Sequence, residues 1–233
     1  LPKQQKPILI PTKQTKARND MPQNKYLQVI EHPLVHLYIT KLRDQHSGVQ
    51  AFREAMDKLG GILGYHALSH VSTKDIQVQT PLEVTSGVEL DKTVHVVPIL
   101  RAGLSLVQGI LHFVPNAKVG HIGVYRDHQT HEPINYYDNL PEGLDHGICI
   151  VVDPMLATGG SASHAISYLK ENGANDIVFT CVIAAPEGVE KVHNNHPDVP
   201  IITTYLDREL NEQAYILPGL GDAGDRYFGT TPS

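Results

Sequence analysis

Between residues 94 and 206 the chain alternates short apolar runs with stretches of helical period, and no other feature limits its fold as much. Val94–Leu100 (VHVVPIL) precedes helical spacing over Leu104–Val114, and Val119–Tyr125 and Ile148–Val152 (ICIVV) are further runs. A helix predicted over 161–172 leads to Ile177–Ala184, and a short helix near 187–195 precedes Ile201–Leu206. Runs such as ICIVV lack polar alternation, which suits strands covered on both faces. Repeated strand, helix, strand predicts an α/β fold with a mainly parallel sheet flanked by helices. Ahead of it, Leu34–Leu42 and Phe52–Leu68 carry helical spacing, the second interrupted by Gly60, Gly61 and Gly64. Residues 75–90 alternate apolar and polar around a Thr-Pro pair, predicting a strand pair or an extended arm. Residues 1–25, rich in Lys, Gln and Pro, predict a flexible tail, and 26–233 a single domain.

In open parallel sheets ligands bind beyond the carboxyl ends of the strands. Arg101 follows strand 94–100, Arg126 follows strand 119–125 and Asp153 follows strand 148–152. Parallel strands would bring two guanidiniums and a carboxylate to one edge. Beside them runs VVDPMLATGGSASHAI (151–166), where an apolar run meets Asp153, then Gly159 and Gly160, then a predicted helix start. Unpaired N–H groups and the helix dipole make such a start an anion site, with Thr158, Ser161 and Ser163 as further donors. An ordinary helix capped by Thr158 or Ser161 fits the same residues. Planar guanidiniums suit polyphosphate. A phosphorylated sugar with a second anionic group meets all these demands, and solvated strand ends are the plainer alternative.

A net charge of −6 argues against a nucleic-acid or anionic membrane surface. No apolar run spans a bilayer, and LPKQQKPILIPTKQTK lacks the apolar core of a signal peptide. Cys149 and Cys181 lie within apolar runs and read as buried, inert thiols in a reducing setting. Several apparent motifs fail on context. GLGDAG (219–224) matches G-x-G-x-x-G but lies too close to the C-terminus for a βαβ unit to follow. HEPIN (131–135) lacks a second histidine, and His66/His70 and His193/His196 are pairs expected by chance among 14 histidines. No Lys follows Gly159–Gly160 as in a Walker loop, and no G-x-S-x-G elbow occurs.

VVPILRAGLSLVQGI (96–110), VVDPMLATGGS (151–161), AAPEGVEKV (184–192) and YILPGLGDAGDRYFGT (215–230), with HPLV at 32–35, closely resemble uracil phosphoribosyltransferases. The resemblance covers about residues 27–230 in order. It implies a type I phosphoribosyltransferase-like fold with a β-hairpin arm and a C-terminal uracil-binding hood. It implies transfer of 5-phosphoribosyl 1-diphosphate to uracil, giving UMP and diphosphate, with Mg2+. By similarity Asp153, Pro154, Met155, Leu156, Ala157, Thr158, Gly159, Gly160 and Ser161 hold the ribose and its 5-phosphate, and Arg101 and Arg126 meet the diphosphate. Ile216, Gly221, Asp222 and Ala223 bind uracil, Asp222 also touching the donor. Arg101, Arg126, Asp153 and Asp222 are the catalytic candidates. The wider superfamily often opens the cradle with two adjacent acids; here Val152 precedes Asp153, so no direct metal ligand is expected and Mg2+ relies on diphosphate and water. The resemblance further implies a homo-oligomer (dimer or higher), a cytoplasmic place (an organelle if a precursor segment has been removed) and GTP as a candidate allosteric activator. Other members of this fold are RNA-binding regulators or purine transferases. The acidic charge disfavours the first and the YILPGLGDAG loop the second.

Overall fold

The computed structural model describes residues 26–126 and 133–230, with Arg126 and Pro133 in backbone only. The predicted tail and His131–Glu132 of HEPIN lie outside the described residues. The first half runs β1 (Leu27–Val29), α1 (Pro33–Arg43), α2 (Val49–Ala67), β2 (Thr73–Gln79), β3 (Val84–Leu90), β4 (Thr93–Leu100), α3 (Leu104–Leu111), β5 (Lys118–Val119) and β6 (His121–Arg126). The second runs β7 (Pro133–Asn139), β8 (Gly147–Val152), β9 (Met155–Leu156), α4 (Gly160–Glu171), β10 (Asp176–Ala184), α5 (Pro186–Asn195), β11 (Ile201–Leu206), β12 (Glu209–Leu210), β13 (Ile216–Leu217) and α6 (Ala223–Phe228).

Among the described residues the main sheet has the order β1-β11-β10-β8-β4-β6-β7, with β5 beside β4 and β9 beside β10. Its pairings are parallel except β6 with β7. Side chains of a strand alternate between faces, and both faces here are covered. Ile148, Ile150 and Val152 of β8 join a core with Leu42, Phe52, Met56, Leu59, Leu106 and Ile110 from α1, α2 and α3. Cys149 and Val151 join the opposite core with Ala165, Ile166 and Leu169 of α4 and Val189 and Val192 of α5. The result is a three-layer α/β/α arrangement, as the uninterrupted apolar runs predict. Burial pushes the Cys149 and Cys181 thiols up to about 12, so both are inert at neutral pH.

The expected interruption of the second helix does not occur: α2 runs unbroken across its glycines. A Cβ at Gly60 would lie 2.7 Å from the Leu106 carbonyl oxygen, and one at Gly109 would lie 2.3 Å from the Asp57 carbonyl oxygen. These glycines let α2 and α3 touch backbone to backbone. The predicted arm is an antiparallel hairpin of β2 and β3, extending from Thr73 to Leu90.

Candidate active site

β8, β4 and β6 lie side by side and parallel, with Val97 opposite Val151, Pro98 opposite Val152 and Ile99 opposite Ile122. Their carboxyl ends therefore share one edge, which carries Arg101, Asp153 and the backbone of Arg126. Arg126 is the last residue of β6, paired with Pro133; its side chain lies outside the described residues. The Arg101 side chain is 59% exposed, and its Nη2 donates to Asp225 Oδ1 at 3.4 Å. Its guanidinium carbon lies 5.8 Å from the Phe228 ring centre. Arg101 thus links the end of β4 to α6, in the chain's C-terminal segment.

Asp153 is half-buried, and the protein packed around its carboxyl raises its pKa to about 7. Desolvation is the main cause, opposed by a hydrogen bond from the Met155 N–H. The segment after it is welded to the sheet. The Pro154 carbonyl accepts from Val182 and Ile183 N–H at 3.0 and 3.1 Å, and Leu156 O accepts from Ala185 N at 2.9 Å. Helix α4 then starts behind Gly159, a residue at φ +75° with no side-chain cap bond. Thr158 Oγ1 accepts only a long bond from Gly160 N–H, at 3.4 Å. The capped-helix alternative therefore gives way to a glycine-started helix whose first turn can receive an anion.

Ser163 is corrected. Its hydroxyl is buried against His196 Nε2 at 3.1 Å and accepts from Asn195 Nδ2 at 2.8 Å, so it locks α4 to α5 rather than lining the cradle. Gly188, at the start of α5, was not singled out by sequence. A Cβ there would lie 2.4 Å from the Ala157 carbonyl oxygen, so its smallness sets how closely the cradle packs.

The C-terminal segment reaches the same edge. β12 and β13 pair antiparallel, and Leu210 N–H donates to Glu187 Oε1 at the start of α5. The side chains of Ile216 and Ala223 are buried, while Gly221 and Asp222 are exposed. Any contact from Ile216 or Ala223 to a ligand must come from backbone. Asp222 Oδ1 caps α6, accepting from Asp225 N–H at 2.8 Å. GLGDAG (219–224) runs directly into this six-residue helix, which begins at Ala223. Among the described residues no three His, Cys, Asp or Glu side chains gather as a metal site.

The family model for uracil phosphoribosyltransferase matches residues 29–230. A uracil phosphoribosyltransferase of Dictyoglomus thermophilum is 53% identical over 203 residues, covering 87% of this chain and 98% of that protein. That of Salinibacter ruber is 50% identical over 205 residues, covering 88% and 98%. The solved structure of the AQ2163 protein from Aquifex aeolicus superposes with a TM-score of 0.83 at 36% identity, covering 89% of this chain and all of that one. An adenine phosphoribosyltransferase from Trypanosoma brucei, at 12% identity and TM-score 0.55, covers 80% of this chain and 86% of its own and shares the fold.

Proposed function

The chain belongs to the uracil phosphoribosyltransferase family, and from that membership we propose how its sheet edge converts uracil and 5-phosphoribosyl 1-diphosphate to UMP and diphosphate. One observation carries the assignment of roles: Asp153 and an uncapped, glycine-started helix follow the same strand, beside Arg101 on the next. The amides of 158–161 and the positive end of α4 take the 5-phosphate. Asp153 accepts from the ribose hydroxyls and favours the electron-poor sugar. Arg101 and Arg126 receive the negative charge that develops on diphosphate.

Uracil is flat, with alternating donors and acceptors at its edge. Backbone of Ile216 and of Gly221–Ala223 matches that edge, and Asp222, oriented by capping α6, meets base and donor. Mg2+ fits as a companion of the donor, because a hard cation that keeps its waters takes diphosphate oxygens readily. When bound it supplies positive charge to the leaving group. The same proposal includes a homo-oligomer, supported by the exposed hairpin, a cytoplasmic place and GTP as an activator. Among the described residues no helix is long and apolar enough to cross a membrane.

Uracil-dependent diphosphate release, measured with Mg2+, tests the reaction. Cytosine, whose amino group reverses one hydrogen bond, should be disfavoured by about 1–3 kcal/mol; equal turnover would remove the base-reading role of 216–223.

A further inference from the structure

Asp207 follows β11 directly, and its side chain is fully enclosed. A buried carboxylate is tolerated only with charged or hydrogen-bonding partners. It has two. Arg43 Nη2, from the last residue of α1, approaches Oδ1 at 2.5 Å, and the Gly219 N–H donates to Oδ2 at 3.1 Å. Arg43 Nη1 also donates to the Gly219 carbonyl at 3.3 Å, and its guanidinium lies 4.5 Å from the Tyr205 ring centre. Carboxylate and guanidinium therefore grip both the N–H and the C=O of one residue.

That residue sits in a turn that needs holding. Gly219 has φ +63°, and a Cβ there would lie 2.1 Å from the Ile216 carbonyl oxygen. On the far side of the turn, Arg226 Nη1 donates to Leu220 O at 2.6 Å and Nη2 to Asp44 O at 2.7 Å. The segment from Ile216 to Leu220 is thus strapped to the end of α1 at two points. Stability alone does not call for the ion pair, since apolar replacements of buried pairs are often neutral. An apolar side chain, however, cannot hold an N–H and a C=O at once.

We infer that Arg43 and Asp207 are positioning residues for uracil, fixing the Gly219 peptide and through it the backbone edge that reads the base. This rests on the proposed assignment of 216–223 to uracil. The pair touches no substrate; it acts through the loop.

The test uses the full chain, wild type, Asp207→Asn and Arg43→Lys. Amide hydrogen exchange over 216–221 without ligand is measured beside steady-state kinetics with uracil and donor varied in turn. Exchange at Gly219 should quicken in both variants. kcat/KM for uracil should fall on the order of 10²-fold, the cost of a small misplacement, while KM for the donor holds. Arg43→Lys should recover little, because lysine lacks the fork that reaches two acceptors. Unchanged exchange would overturn the clamp and leave the base assignment standing. Faster exchange with unchanged uracil constants would overturn the base assignment and the positioning role with it. Parallel loss in both substrates with a lowered melting temperature would make the pair merely structural and also overturn the inference.

Discussion

Asp153 ionises where an enzyme working near neutrality feels it. Its pKa is raised to about 7 by desolvation, and in the proposed reaction the ionised form is the one that would favour a cationic sugar. kcat/KM for the donor should therefore fall as pH drops below about 7, since that ratio reports ionisations of the free enzyme. Asp153→Asn should lower turnover and abolish this acid limb; a limb that persists in the variant would assign it to another group. Stability has the opposite sign. Between the unfolded value of 3.8 and about 7 the folded chain keeps a proton that the unfolded chain has released. Unfolding free energy should therefore fall as pH rises through that window, and denaturant melts of Asp153→Asn should lack this component of the slope. In the proposed reaction Arg101 would act through charge and shape together. If Arg101 meets the leaving group as proposed, Arg101→Ala should cost roughly 2.7–4 kcal/mol in barrier. Arg101→Lys should restore little if two oxygens are bound at once, and full activity of the lysine variant would reduce Arg101 to a point charge.

Elements were legible in the sequence where their environment is uniform and obscure where it is not. β8 and β4 are covered on both faces and β6 buries Ile122 between them and the edge, so apolar runs and the strand-end rule placed Asp153, Arg101 and the backbone of Arg126 on one edge. β7 escaped because it is an edge strand, PINYYDN, where proline and polar residues are tolerated. The glycines of α2 suggest breaks to a periodicity argument, but their purpose is contact with α3. Asp207 obeys the strand-end rule after β11, yet its partner Arg43 lies 164 residues away in the chain. No local pattern announces such a pair. Gly188 belongs to the same class, since its neighbour is the backbone of the cradle. Gly188→Ala should force Ala157 away, with overpacking costing about 1–3 kcal/mol. Its signature should be weakened donor binding with uracil constants nearly preserved. An unchanged donor KM would show that the cradle does not depend on α5.

At the scale of the whole molecule, the hairpin of β2 and β3 stands apart from the packed layers. Thr73 pairs with Leu90, Asp75 with Val88, Gln77 with Ser86 and Gln79 with Val84, so these residues share one face. On it Leu90, Val88 and Val84 are 45%, 63% and 60% exposed, and Leu82 near the turn is 94% exposed. The opposite face carries Ile76, Val78 and the Lys74–Glu89 ion pair. An isolated two-stranded ribbon is marginal in water, and the exposed Val84, Val88, Leu90 and Leu82 lack cover among the described residues. Burial against another copy would supply the missing cover, which is why the hairpin supports the proposed homo-oligomer. Replacing Val84 and Val88 together by Glu places two charges on that face, in an arm that joins the amino end of β4 whereas Arg101 follows its carboxyl end. The wild-type chain should sediment as a dimer or larger species and the double variant as a smaller one, with its helical circular dichroism retained. If the variant sediments like the wild type, the apolar face of the hairpin is not what joins the subunits.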